Sequence, residues 1–200
     1  MKVYFLKENL NNYQIFPTPQ NLQDFVEIEI ESELILENKQ LVKNGNEYVF
    51  VDKAPSDLHI WKSKKWVIDK AKQKEKLNTE KTRLILLTAN KVDEMKSALL
   101  SGYPQAEIDS FYKQEKEALA YKVDNSADTP MLKIIAQTRG VSFDLLVEKV
   151  LEKSSQFSQV MGAIIGQRQK FEDRILSTKS IEDLDVIENE VKEWQFNLES

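Results

Sequence analysis

The only histidine of the chain, His59, follows Ser56 and Asp57 within one short stretch, "APSDLHIW", and these are the residue types of a nucleophilic hydrolase site. Such a triad converges from separate segments and sits beside a nucleophile turn and an oxyanion glycine; neither pattern is present here. Glu27, Glu29, Glu31 and Glu33 bring together enough carboxylates for a metal site. They alternate with Val26, Ile28 and Ile30, however, which marks them as the wet face of a half-buried strand. Glu115 with Glu117, Glu188 with Glu190, and Glu172 with Asp173 sit too close in sequence to face one another on a helix. No phosphate-binding loop, dinucleotide glycine pattern or helical His-x-x-x-His pair occurs. Neither catalytic residue, metal ligand nor cofactor is therefore expected, and binding is the chemistry left to explain.

The 200 residues suffice for one ordinary domain or two small ones. The absence of cysteine excludes disulfides and zinc-thiolate sites and fits a cytosolic compartment. The start of the chain, "MKVYFLKENLNN", has no signal-peptide pattern, and no apolar stretch reaches bilayer length, so a soluble, unexported protein is expected. The net charge of −5 hides one basic run, "KAKQKEKLNTEKTR", with six basic and two acidic residues. No aromatic residue interleaves with those lysines, which favours a solvated helix face over a nucleic-acid contact.

The elements that would present a binding surface divide the chain in two. "KVYFLK" and "YQIFP" are strand-like runs with a turn expected in "ENLNN", and "FVEIEIESELILE" reads as one alternating strand. Asn44-Gly45 predicts a two-residue hairpin turn. "HIWKSKKWVID" predicts a second hairpin, in which Trp61 and Trp66 face each other across a four-residue turn. From Lys70 the period lengthens to that of a helix. One long helix is expected over 70–100, and another after Pro104. Thr129 is placed to N-cap a helix ended by Gly140, and Ser142 to cap one running to about Leu176. Ser180 with Asp183 then opens the last helix. The expected class is α+β: a β-rich module over 1–69, a connecting helix over 70–101, and an α-helical domain over 102–200 that contains an antiparallel helical hairpin.

Phe143, Val147, Val150, Ser154, Phe157, Met161, Ile164, Arg168, Phe171 and Ile175 recur at alternate spacings of four and three, the seam of a packed helix pair. Leu184, Ile187, Val191, Trp194 and Leu198 form the matching stripe. Beside the seam lie four small residues in a row, Ser155, Ser158, Gly162 and Gly166. Glycine costs a helix interior roughly 1 kcal/mol relative to alanine, so the row is expected to serve close packing, inside the domain first or against a partner. Arg168 lies on the seam itself and is expected to need a carboxylate from another helix or another chain.

Residues 127–175, "ADTPMLKIIAQTRGVSFDLLVEKVLEKSSQFSQVMGAIIGQRQKFEDRI", resemble a helical module of tail-associated proteins encoded by bacteriophages and prophages. The marks are Thr129 to Leu132, Arg139-Gly140, Lys149 to Lys153, and Gly162 to Gln169. "PSDLHIWKSKKWVID" in turn resembles the tryptophan hairpin of tail fibre and tail fibre assembly proteins, which more often turns through Asp-Gly. The resemblance implies a tail fibre assembly chaperone that binds a phage tail fibre protein and aids its folding or trimerisation. Trp61 and Trp66 would be its anchors, and Ser155, Ser158, Gly162, Gly166 and Arg168 its packing surface. The alternatives are a structural component of the tail or baseplate, and a nucleic-acid-binding regulator that uses the basic run. The host cytoplasm is the expected location, with the virion tail as the other; a homo-oligomer is compatible, a membrane contact is not expected, and nucleic acid is disfavoured.

Overall fold

A computed structural model describes residues 1–195 of the chain. The fold is α+β: antiparallel strands come first and long helices follow. Two compact units result, Met1–Lys76 and a second beginning at Leu77.

In the first unit, β1 (Lys2–Leu6) is the centre of a three-stranded antiparallel sheet between β2 (Asn9–Gln14) and β3 (Phe25–Glu29). A short helix, α1 (Leu34–Asn38), leads into the hairpin of β4 (Lys39–Asn44) and β5 (Glu47–Asp52). A second hairpin joins β6 (His59–Lys62) to β7 (Lys65–Ile68). Val3, Phe5, Ile30 and Leu41 form the core, and Phe50 meets the Phe5 ring edge-on at 5.9 Å.

Three local expectations change. Leu6 pairs with Asn9, so the first turn is Lys7-Glu8, and the asparagines belong to an edge strand whose polar side chains face water while Leu10 packs on the core. The alternating strand stops at Glu29. Ser32 accepts the Leu34 N–H at 3.3 Å and starts α1, which leaves Glu31 and Glu33 off the strand. Asn44 pairs with Glu47, so Gly45-Asn46, one residue later than expected, makes the turn. The positive φ falls on Gly45 alone, as a type II′ turn requires.

The helices are α2 (Lys70–Leu99), α3 (Gln105–Val123), α4 (Pro130–Arg139), α5 (Phe143–Ser177) and α6 (Ile181–Glu193). At 1.5 Å per residue, α5 is about 52 Å long, and it serves two separate cores. Leu146 and Val147 near its start pack with Ala118 of α3 and with Leu132 and Ala136 of α4. Phe171 and Ile175 near its end pack with Leu84 of α2 and with Leu184, Ile187 and Val191 of α6. The two expected stripes thus meet in an antiparallel hairpin, with Trp194 5.5 Å from Phe171; Leu198 lies outside the described residues.

Capping follows the sequence in part. Gly140 ends α4 with φ 64°, and Ser180 accepts the Asp183 N–H at 3.2 Å. Thr129 and Ser142 stand at N-cap positions without capping through their side chains. At α4 the reason is a competitor. Glu117 of α3 accepts the N–H groups of Met131 and Leu132 at 3.4 and 3.0 Å, the two donors an N-cap oxygen would take, and the Thr129 hydroxyl is buried without a partner among the described residues. At α5 the first turn is closed by main chain alone, with the Leu146 N–H on the Ser142 carbonyl at 3.0 Å.

Candidate functional site

Trp61 and Trp66 are directly paired across β6 and β7, their rings edge-to-face with centroids 5.3 Å apart. This geometry suits the quadrupoles of two indoles and stabilises a hairpin of four-residue strands. Trp66 donates its indole N–H to the Asp52 carbonyl at 2.9 Å and ties the hairpin to the end of β5. Trp61 Nε1 is buried without a partner among the described residues. Lys62 pairs with Lys65, so the loop is two residues and not four. Ser63 and Lys64 both take left-handed conformations, φ 52° and 63°, where asparagine and glycine are the favoured residues.

Ser56, Asp57 and His59 do come close, in a different arrangement from a hydrolase relay. The Ser56 hydroxyl meets His59 Nδ1 at 2.9 Å and accepts the Leu58 N–H at 3.3 Å. Asp57 lies 3.9 Å from Lys76, and among the described residues no carboxylate is hydrogen-bonded to the imidazole as in a triad.

On α5 the small-residue row falls between the two cores. Ser155, Ser158, Gly162 and Gly166 are exposed, and among the described residues a Cβ placed on either glycine would meet nothing within 4 Å. Close packing within the domain, the first expectation for the row, is therefore overturned: the row faces solvent. Ile164 on the seam is fully buried, whereas Ile165 beside the row and Phe157 remain exposed. Arg168 takes its carboxylate from its own helix, with Glu172 one turn on at 2.7 Å, so no other helix or chain is required to neutralise it.

Two charged features escaped the sequence because each depends on a distant segment. Arg83 of α2 grips Glu188 of α6 with both terminal guanidinium nitrogens, and Lys192 adds a contact at 2.8 Å. Hydrogen bonds from Arg83 and then Lys192 hold the Glu188 carboxyl at about 2, and the Arg83 guanidinium is raised in return, chiefly by Glu188. Arg174 of α5 is likewise bidentate to Glu190, whose carboxyl it lowers. The other feature is Glu117, only 7% exposed at the head of α4. Nothing in the local sequence of α3 marks it as a partner of α4.

Residues 152–194, which span the small-residue row and the α5–α6 hairpin, match the family described as HI1402 helical domain. An uncharacterized protein of Haemophilus influenzae is 58% identical over 66 residues, covering 33% of this chain and 97% of that one. An uncharacterized 23.3 kDa protein in the lys 3′ region of Haemophilus phage HP1 is 35% identical over 193 residues, covering 96% of this chain and 94% of that one. No solved structure matches the chain. With that identity sustained over nearly its whole length, the chain belongs to the family of the Haemophilus phage HP1 protein.

Proposed function

We propose that the protein is a phage tail fibre assembly chaperone, which binds a fibre protein and aids its folding or trimerisation. The observation that carries this reading is the exposed row Ser155, Ser158, Gly162 and Gly166 on α5, open to solvent where the helix passes between its two cores. A row of small residues lets a partner backbone approach closely, and exposed Ile165 adds apolar surface at its edge. The kinship with a phage-encoded protein supports the same reading. Covering apolar surface and unpaired strand edges while three fibre chains find register would suppress the aggregation to which slow β assembly is exposed. The tryptophan pair would stiffen the hairpin and offer the outer faces of its indoles as anchors.

Co-expression with the fibre gene tests this. The chain should raise the soluble, trimeric fraction of the fibre, and Gly166→Leu should remove that effect while the variant stays folded. A fibre equally soluble and trimeric without the chain would overturn the proposal.

A further inference from the structure

A cleft of about 610 Å³ opens in the first unit, where β2, the start of β4 and the first turn of α2 converge. Its apolar lining includes Leu10, Tyr13 and Leu36, and the Tyr13 ring packs 5.5 Å from that of buried Phe5. Three lysines from separate segments line the cleft: Lys39 at the start of β4, Lys53 just after β5, and Lys72 in α2. None of the three forms an ion pair among the described residues, and the one carboxylate on the wall, Asp57, lies near Lys76. The frame is braced. Gln40 donates to the Asn11 side chain at 2.7 Å and accepts the Ala54 N–H at 3.2 Å, joining β2, β4 and the loop after β5 into one rim.

Like charges converging on one cleft repel when it is empty, and an anion relieves that cost. The volume falls in the class of small-molecule sites, where an apolar lining supplies affinity and a few polar groups set orientation. We propose that this cleft binds a small amphipathic anion, with a carboxylate or phosphate head among Lys39, Lys53 and Lys72 and an apolar body on Leu10, Tyr13 and Leu36. The site is independent of the small-residue row, and its test is independent of any fibre.

Calorimetric titration of the full chain with octanoate and adenosine 5′-monophosphate, beside octan-1-ol and adenosine as neutral counterparts, decides it. At least one anion should bind with Kd below about 1 mM and roughly tenfold more tightly than its neutral counterpart; the arm that binds identifies the head group. The double variant Lys39→Glu with Lys53→Glu should weaken that binding roughly tenfold or more, with unchanged circular dichroism. Lys43→Glu with Lys64→Glu, outside the cleft, should leave it unchanged. Failure of both anions, equal binding of a neutral counterpart, or equal loss in both double variants would overturn the site.

Discussion

Glu117 of α3 caps α4 from outside, its carboxylate accepting the Leu132 N–H at 3.0 Å where the local residue, Thr129, makes no cap bond. A charged acceptor on two orphan N–H groups at a helix N-terminus adds the dipole interaction to the hydrogen bonds and couples the two helices. Glu117→Ala should cost about 2 kcal/mol, because it leaves buried donors unpaired. Glu117→Gln keeps one acceptor oxygen and should cost less. Urea unfolding of the two variants checks the order; equal stabilities would show that the carboxylate does not act as the cap.

The turn at Ser63-Lys64 should be improvable. Both residues hold a left-handed conformation that costs a non-glycine residue roughly 1–2 kcal/mol, so Ser63→Asn with Lys64→Gly should stabilise the hairpin by about 1 kcal/mol. Tryptophan fluorescence during thermal unfolding reads the change, since Trp61 and Trp66 flank the turn. A lower midpoint would refute it.

These two sites mark what the sequence could and could not disclose. Periodicity located the helices, the α5 seam and the facing tryptophans, because apolar spacing follows directly from helix and strand geometry. Which residues close a turn was less legible: Gly45-Asn46 and Ser63-Lys64 depend on strand register, and a shift of one residue is invisible in local composition. Arg83 with Glu188, Glu117 with Leu132, and the three lysines of the cleft are long-range meetings for which no local pattern exists. Helical spacing alone aligns Ser155, Ser158, Gly162 and Gly166 along α5. The environment of that row came only from the packing around it, which leaves both glycines open.

Acid should destabilise the second unit through Glu188. Its carboxyl titrates at about 2 in the folded chain against an ordinary 4.5, so the contribution is complete above about pH 5 and is lost as pH falls toward 2. Arg83 is about half exposed, and solvent screening reduces the effect to roughly 1–2 kcal/mol. Arg83→Met should lower stability near pH 7 and flatten its decline between pH 5 and pH 2. Parallel urea titrations of the two proteins that fell with identical slopes would remove Glu188 from the explanation.

Gly162 offers the sharpest separation of folding from binding. Its position is helical and none of the described residues lies within 4 Å of where a Cβ would stand, so Gly162→Ala should stabilise the chain by up to about 1 kcal/mol through helix propensity alone. Gly162→Leu should keep an unfolding midpoint close to that of the parent, because the larger side chain projects into solvent. If the row is the contact for a fibre chain, the leucine obstructs close approach, and complex formation followed by size-exclusion chromatography should fall while thermal stability holds. A leucine variant that binds the fibre normally would move the contact away from α5, and one that fails to fold would mean that the row is covered within the chain after all.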